Sequence, residues 1–294
     1  MPWTGEIAPT KTGTMTVSPL VSTGWLHERL GSPDIRIVDA SWHFPQTGRN
    51  ARAEFEDAHI PGAVYFDVDE IADLSSGLPH MLPPAEKFAS RVQKLGIGDG
   101  STIVVYDAHG ILASARVWWM FRTMGHQNVF VLDGGFLKWR AEGLPVDDAL
   151  TSHFARHFTP RPDWALVRTY EDVTRLLASG AQVVDARSPG RFAGTEPEPR
   201  EGLKGGHMPG ALNLPYTTLL RPDGTLKRPD DLARIFAEAG IDTAKPLTAS
   251  CGSGISACVI LLALATLGNR DGALYDGSWA EWGAREGAAI ATGA

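Results

Sequence analysis

The feature of this chain that most limits its possible folds is an internal duplication. Five landmarks recur in the same order in the two halves: Asp39 and Asp185, His59 and His207, Asp107 and Cys251, Asp133 and Asp276, and Trp139 and Trp282. Both histidines begin a His-x-Pro-Gly-Ala element, and each tryptophan follows the preceding aspartate by six residues. This agreement of order and spacing predicts two copies of one structural unit.

Each copy alternates strand-like runs with helix-like runs, which is typical of an α/β fold with a mostly parallel sheet flanked by helices. We expect domains at residues 19–147 and 166–294, joined at residues 148–165 by a linker without hydrophobic periodicity. Residues 1–18 are rich in Thr, Pro and Gly, so a disordered tail is expected there, with Met15 as an alternative start to Met1.

Composition and charge exclude several classes of function. The chain has 294 residues, a net charge of −7 and no run rich in Lys or Arg, which argues against a nucleic-acid partner. Its two cysteines cannot form a disulfide framework, so we expect a reducing compartment, by default the cytoplasm. The longest apolar run, residues 258–267, is far short of a membrane span, and no membrane partner is expected.

Residues 247–257 read as a strand, a tight loop and the start of a helix, with Cys251 at the mouth of the loop. Gly252 and Gly254 permit backbone angles that direct several N–H groups at one point, and the helix start adds partial positive charge. Because this geometry stabilises a thiolate or another anion on sulfur, we predict that Cys251 is a nucleophile. A buried structural cysteine is the alternative, but it would not require such a loop. Cys258 is expected to pack in the core.

Alignment of the two copies pairs the loop at Cys251 with the segment at Asp107, and Gly254 with Gly110. The first copy therefore has an aspartate where the second has its thiol, and we expect the first domain to be catalytically degenerate. His59 and His207 occur in both copies, so a function specific to the second domain would not need both. We expect both histidines to be structural.

The duplicated unit, the two His-x-Pro-Gly-Ala elements and the single cysteine loop resemble the tandem-rhodanese sulfurtransferases, from about residue 19 to the end of the chain. The loop Cys-Gly-Ser-Gly is similar to that of the 3-mercaptopyruvate-type members, whereas thiosulfate-preferring members carry basic residues where this chain has Gly252 and Ser253. The resemblance implies two rhodanese-like domains and sulfur transfer from 3-mercaptopyruvate through a persulfide on Cys251. It implies no metal and no organic cofactor.

The resemblance also implies a set of site residues. The expected substrate-binding residues are Arg187, Gly252, Gly254, Ile255, Ser256, Arg191 and Arg200. Among these, Arg187 is the expected carboxylate-binding arginine and the other two arginines are weaker candidates. Ser253 would protonate the departing pyruvate enolate through a relay with His80 and Asp69 of the first domain. The alternative for His80 is a loop histidine that stabilises the domain interface.

The expected partners are a small-molecule sulfur donor and an acceptor, which would be cyanide, a thiol or a thioredoxin-like protein. A thiosulfate sulfurtransferase is the alternative within the same class. A cysteine phosphatase would need an arginine at the sixth position after the cysteine, where this chain has Ala257. A non-catalytic sulfur carrier or an interaction module stays open as a further alternative.

Overall fold

A computed structural model describes residues 7–8 and 16–293 of the chain. The predicted disordered tail at residues 1–18 lies mostly outside the described residues. Within it, the short strands β1 (Ile7–Ala8) and β2 (Thr16–Val17) pair antiparallel.

The remaining elements follow the predicted alternation of strands and helices. The other strands are β3 (Leu20–Val21), β4 (Ile35–Asp39), β5 (Val64–Tyr65), β6 (Thr102–Tyr106), β7 (Val129–Leu132), β8 (Val167–Arg168), β9 (Gln182–Asp185), β10 (Leu212–Asn213), β11 (Leu247–Ser250) and β12 (Ala273–Tyr275). The helices are α1 (Thr23–His27), α2 (Ala51–Asp57), α3 (Ala85–Lys94), α4 (Ala113–Thr123), α5 (Gly135–Ala141), α6 (Tyr170–Ala178), α7 (Pro189–Ala193), α8 (Pro229–Glu238), α9 (Ala257–Thr266) and α10 (Ser278–Trp282). Short 3-10 helices lie at Pro45–Thr47, Trp164–Leu166 and Tyr216–Leu219.

The two halves form two five-stranded sheets with the same strand order. The first is β3-β7-β6-β4-β5 and the second is β8-β12-β11-β9-β10, and all neighbouring strands within them pair in parallel. Strand β6 is apolar and buried from Ile103 to Tyr106, and all four residues of β11 are buried, as expected for parallel strands covered on both faces. The α/β fold and the duplication are therefore confirmed.

Helices α4 and α9 follow the matched central strands β6 and β11 and pack against each other between the two domains. Every residue of α4 is buried, and so is α9 from Ala257 to Ala265. A helix that is buried on all sides must lie inside a larger core. A single hydrophobic cluster accordingly contains residues of both domains, which fixes the carboxyl ends of the two sheets relative to each other.

The paired histidines behave alike in the two domains, as expected for a structural role. The Nδ1 of His59 lies 2.7 Å from the carbonyl oxygen of Phe55, and that of His207 lies 2.9 Å from the carbonyl oxygen of Phe192. Each imidazole also stacks on the ring of that same phenylalanine. The segment predicted as a linker lies along the first domain, where Phe158 is buried.

Candidate active site

The thiol of Cys251 lies at the carboxyl end of β11, where the chain turns towards α9. The residue is 2% exposed, and its amide donates to the Oγ of Ser278 at 3.2 Å. Its carbonyl oxygen accepts from the amide of Trp279 at 2.9 Å. Within the described part of the chain, the amides of residues 252–256 have no protein acceptor. The loop therefore presents unused N–H donors next to a nearly buried sulfur.

The matched loop of the first domain already holds an anion in its amides. The carboxylate of Asp107 accepts hydrogen bonds of 2.8 Å from the amides of His109, Leu112 and Ser114. Two of these three donors correspond to the amides of Ser253 and Ser256, which have no acceptor. The backbone amides of the loop thus form a binding site for negative charge, which we call the amide cradle. In the first domain it holds the carboxylate of Asp107, and in the second domain it lies next to the thiol of Cys251.

The side chains of Ser253, His80 and Asp69 form a continuous chain of polar contacts across the domain boundary. The Oγ of Ser253 lies 2.9 Å from the Nδ1 of His80, whose Nε2 lies 3.0 Å from an oxygen of Asp69. Trp42 donates to the other oxygen of Asp69 at 3.1 Å and places its ring edge-on to the imidazole. The hydrogen bond from His80 holds the pKa of Asp69 below its usual range. When the Nε2–H of His80 donates a hydrogen bond to Asp69, the Nδ1 of His80 can accept a hydrogen bond from the hydroxyl group of Ser253.

Arg116, on α4 of the first domain, was not anticipated as a site residue. Its fully buried guanidinium donates to the carboxylate of Asp276 at 2.6 Å, to the carbonyl of Gly254 at 3.3 Å and to the carbonyl of His80. Burial opposes the charge, but the carboxylate of Asp276 raises the pKa of Arg116. His80 has a positive φ of 61°, which is costly for a residue with a Cβ. The contact from Arg116 helps to hold it there.

Arg187 has a structural position in place of the predicted contact with a substrate carboxylate. Its guanidinium is fully buried and is held by Asp185 and Glu198 at 2.6 and 2.7 Å and by the carbonyl of Gly206 at 2.8 Å. It also lies 4.2 Å from the ring centre of Trp279. Nearly all its N–H donors are used inside the protein, which favours a structural role over contact with a substrate.

Arg191 and Arg200 are the two arginines that the structure brings to the loop. The Nη2 of Arg200 lies 3.3 Å from the Oγ of Ser253. Burial lowers the pKa of Arg200, and the attraction of the Cys251 thiolate opposes that effect. The Nη2 of Arg191 is so close to Gly252 that a Cβ added there would lie 3.0 Å away. The buried Glu198 orients Arg191 with contacts of 2.5 and 3.2 Å.

Two sequence signals would have pointed to the missed residues. Arg116 aligns with Ile260 of the second copy, so a charge stands in the first copy where the second has an apolar residue. The second copy also has eleven more residues than the first between the matched phenylalanine and histidine of the Pro-Gly turn. That extra segment carries Glu198, which was not anticipated, together with the predicted Arg200.

The remaining loop residues shape the cradle. Gly254 has a φ of +78°, and a Cβ there would lie 3.0 Å from the Nη1 of Arg116, so only glycine fits. The side chain of Ile255 is buried in the core, which leaves only its backbone to the site. Ser256 is half-buried and forms no side-chain cap on α9. Burial raises the pKa of Cys258, which donates to the carbonyl of Gly254 at 3.3 Å, so this thiol is core packing.

Two further properties concern only residues 7–8 and 16–293. Across these residues, no group of three or more His, Cys, Asp or Glu side chains is placed to hold a metal ion. None of the helices they form has the length and apolar character needed to cross a membrane.

Comparisons with known proteins identify the family of the chain. The family model of the rhodanese-like domain matches residues 22–142 and 169–285. The human 3-mercaptopyruvate sulfurtransferase is 45% identical over 270 residues, which cover 90% of this chain and 91% of the relative. A thiosulfate sulfurtransferase of Cricetulus griseus is 44% identical over 271 residues, with 90% and 91% covered. The crystal structure of SseA from Escherichia coli, described as a 3-mercaptopyruvate sulfotransferase, has 39% identity and a TM-score of 0.82, covering 90% of this chain and all of that one.

Proposed function

The chain belongs to the rhodanese-like sulfurtransferases, and from this premise we propose that 3-mercaptopyruvate is its sulfur donor and that Cys251 carries the sulfur as a persulfide. The observation that carries the proposal is the amide cradle at Cys251, because the matched cradle binds the carboxylate of Asp107. The names of the relatives include both donors, so the donor has to follow from the chemistry of the loop. The residues of the loop itself offer amides and hydroxyl groups and contribute no cationic side chain, whereas basic residues within the loop would favour the dianion thiosulfate.

The first half-reaction transfers the donor's sulfur atom to the enzyme. The Cys251 thiolate attacks the donor sulfur, an S–S bond forms, the C–S bond breaks, and its electron pair passes into the enolate of pyruvate. The donor's thiol proton ends on the methyl group of pyruvate, so the products are a persulfide anion and pyruvate. The free amides of the loop stabilise that persulfide anion.

The relay moves the proton in this step. Ser253 takes the proton of the donor thiol and passes its own hydroxyl proton to Nδ1 of His80, which Asp69 orients. When the C–S bond breaks, Ser253 gives its proton to the enolate and recovers the one held by His80. Such a relay matters for mercaptopyruvate because an enolate must be protonated. It has no role with thiosulfate, because sulfite leaves as a stable anion.

Arg191 and Arg200 bind the carboxylate of the donor in this proposal. Both lie beside the loop, and the two guanidinium groups offer planar donors that match a carboxylate. Glu198 fixes Arg191 but does not contact the donor. The carboxylate would thus be anchored on the side of the loop where Ser253 can reach the enolate.

The second half-reaction passes the outer sulfur to cyanide, a small thiol or a thioredoxin-like protein. The low exposure of Cys251 favours acceptors with a narrow nucleophilic end. Both cysteines are free thiols, so we also propose a reducing location, the cytoplasm, which cell fractionation checks.

Donor kinetics with purified protein test the proposal. We expect the larger kcat/KM with 3-mercaptopyruvate, and one added sulfur atom on the peptide that contains Cys251 after donor treatment. Cys251→Ser should abolish both activity and the added mass, whereas Cys258→Ala should keep them. A larger kcat/KM with thiosulfate would overturn the donor assignment, and full activity of Cys251→Ser would overturn the persulfide mechanism.

A further inference from the structure

The carboxyl ends of the strands in the first domain open into a cavity that the sulfur chemistry does not use. Its volume is about 380 Å³. The lining residues that matter are Asp39, Ser41, Arg49, Glu54, Phe136 and Arg140. The carboxylate of Asp39 is the inner part of this lining, since that residue is only 3% exposed.

Backbone hydrogen bonds set the correspondence between this cavity and the second domain. The amide of Ser41 donates to the carboxylate of Asp39 at 2.7 Å, as the amide of Arg187 does to that of Asp185 at 3.0 Å. The amide of Phe136 donates to the carbonyl of Asp107 at 3.0 Å, and that of Trp279 donates to Cys251 at 2.9 Å. Ser41 is therefore the counterpart of Arg187, and Phe136 is the counterpart of Trp279.

In the second domain, the equivalent space is filled by the chain itself. The guanidinium of Arg187 lies against the carboxylate of Asp185 and 4.2 Å from the ring centre of Trp279. Ser41 is too short to do the same. The first domain thus keeps the carboxylate and the aromatic face of a guanidinium site but lacks the guanidinium.

The carboxylate of Asp39 has hydrogen-bond donors but no cation. Ser41 and Tyr106 donate to it, and across residues 7–8 and 16–293 no Lys or Arg forms an ion pair with it. Burial raises its pKa to about 6, so it still carries a charge at neutral pH. A buried carboxylate without a cation favours a ligand that brings one.

The two arginines of the lining do not fill that role. Arg49 is held by both oxygens of Glu54, at 2.8 and 2.6 Å, so the two charges neutralise each other. Arg140 is exposed, with its Cζ 5.8 Å from the ring centre of Phe136. Within the described residues it has no carboxylate partner, which leaves a positive charge at the outer part of the cavity.

We propose that this cavity is a second ligand site that binds a small guanidino acid. The guanidinium lies against Asp39 and the ring of Phe136, where it makes the contacts that Arg187 makes in the second domain. The carboxylate of the ligand faces Arg140. The site is independent of sulfur transfer, because neither Asp39 nor Phe136 touches the cysteine loop through its side chain.

The test uses the full chain and two probes, methylguanidinium and guanidinoacetate, at low-millimolar concentration, followed by saturation-transfer NMR and calorimetry. Urea, which has a similar planar shape without the charge, and tetramethylammonium, which has the charge without N–H donors, are the matched controls. We expect both guanidino probes to bind, guanidinoacetate more tightly, and neither control to bind. Equal binding of urea, or no binding of either guanidino probe, would overturn the site.

Three variants locate the binding. Asp39→Asn should weaken methylguanidinium binding by about tenfold or more, because a charge-assisted pair is lost. Ser41→Arg should abolish binding and raise the thermal midpoint while leaving sulfur transfer unchanged, since the new side chain fills the cavity as Arg187 does. Arg140→Gln should remove only the preference for guanidinoacetate. Unchanged affinity of Asp39→Asn for methylguanidinium would refute the proposal. This test does not depend on whether Ser41→Arg folds.

Discussion

Arg116 of the first domain and Asp276 of the second form a buried ion pair, with Nη1 and Oδ1 2.6 Å apart and side chains that are 0% and 3% exposed. The same guanidinium donates to the carbonyl groups of Gly254 and His80. One side chain of the first domain therefore connects the cysteine loop, His80 and the end of β12. The first domain supplies part of the site as well as part of the core.

Arg116→Met should destabilise the protein and slow sulfur transfer. It leaves the carboxylate of Asp276 buried without its cation, which typically costs about 3–5 kcal/mol in the free energy of unfolding. We expect kcat to fall more than KM rises, because the loop and His80 lose their common anchor. Urea unfolding and steady-state kinetics measure both effects. The double variant with Asp276→Asn should recover part of the stability, and a double variant no more stable than the single one would contradict the ion-pair explanation.

Ser253→Ala should slow sulfur transfer from 3-mercaptopyruvate much more than transfer from thiosulfate. Only the first donor leaves an enolate that needs a proton, and loss of a general acid typically costs about 100- to 10,000-fold in rate. Rapid-mixing measurement of persulfide formation with each donor separates the two. His80→Asn should behave in the same way. Ser256→Ala, a loop serine outside the relay, is the control, and an equal loss with both donors would argue against proton transfer by Ser253.

The sequence alone was sufficient for the duplication, the α/β fold and the cysteine loop, because each depends on local pattern and on spacing along the chain. Through the resemblance it also predicted that His80 and Asp69 lie near Ser253, and the three side chains are in contact. Their role as a proton relay stays a prediction. The sequence could not rank the arginines. Arg187 follows the strand end, where a ligand is expected, but Asp185 and Glu198 enclose it in the folded protein. Such enclosure depends on contacts between distant segments, which no periodicity records.

Substitution of Arg187, Arg191 and Arg200 should therefore affect different properties of the protein. Arg200→Met should raise the KM for 3-mercaptopyruvate by about 10- to 100-fold, because hydrogen bonds to charged groups contribute about 1.5–3 kcal/mol. Arg191→Met should act in the same direction. Arg187→Met should mainly lower the free energy of unfolding, since it leaves the buried carboxylate of Asp185 without its cation and Glu198 with Arg191 alone. Steady-state kinetics gives the KM of each variant, and urea unfolding gives its free energy of unfolding. A selective rise in KM for Arg187→Met, without loss of stability, would restore its predicted substrate role.

The buried carboxylate of Asp39 should leave a signature in the pH dependence of stability. Burial raises its pKa in the folded protein from 3.8 to about 6, so the folded state binds a proton that the unfolded state has lost between these values. The corresponding stability is present below the unfolded pKa and is lost as the pH rises through about 6, and a two-unit shift corresponds to about 3 kcal/mol.

Asp39→Asn should remove this component, and Ser41→Arg should reverse its sign by pairing the carboxylate with a cation, as Arg187 does for Asp185. Urea unfolding at about pH 4 and about pH 7 measures the change in stability for the three proteins. Relative to the unsubstituted protein, both variants should lose less stability, or gain some, as the pH rises. A parallel pH dependence in all three would mean that Asp39 does not titrate in this range, and that its carboxylate is not the uncompensated charge inferred from the cavity.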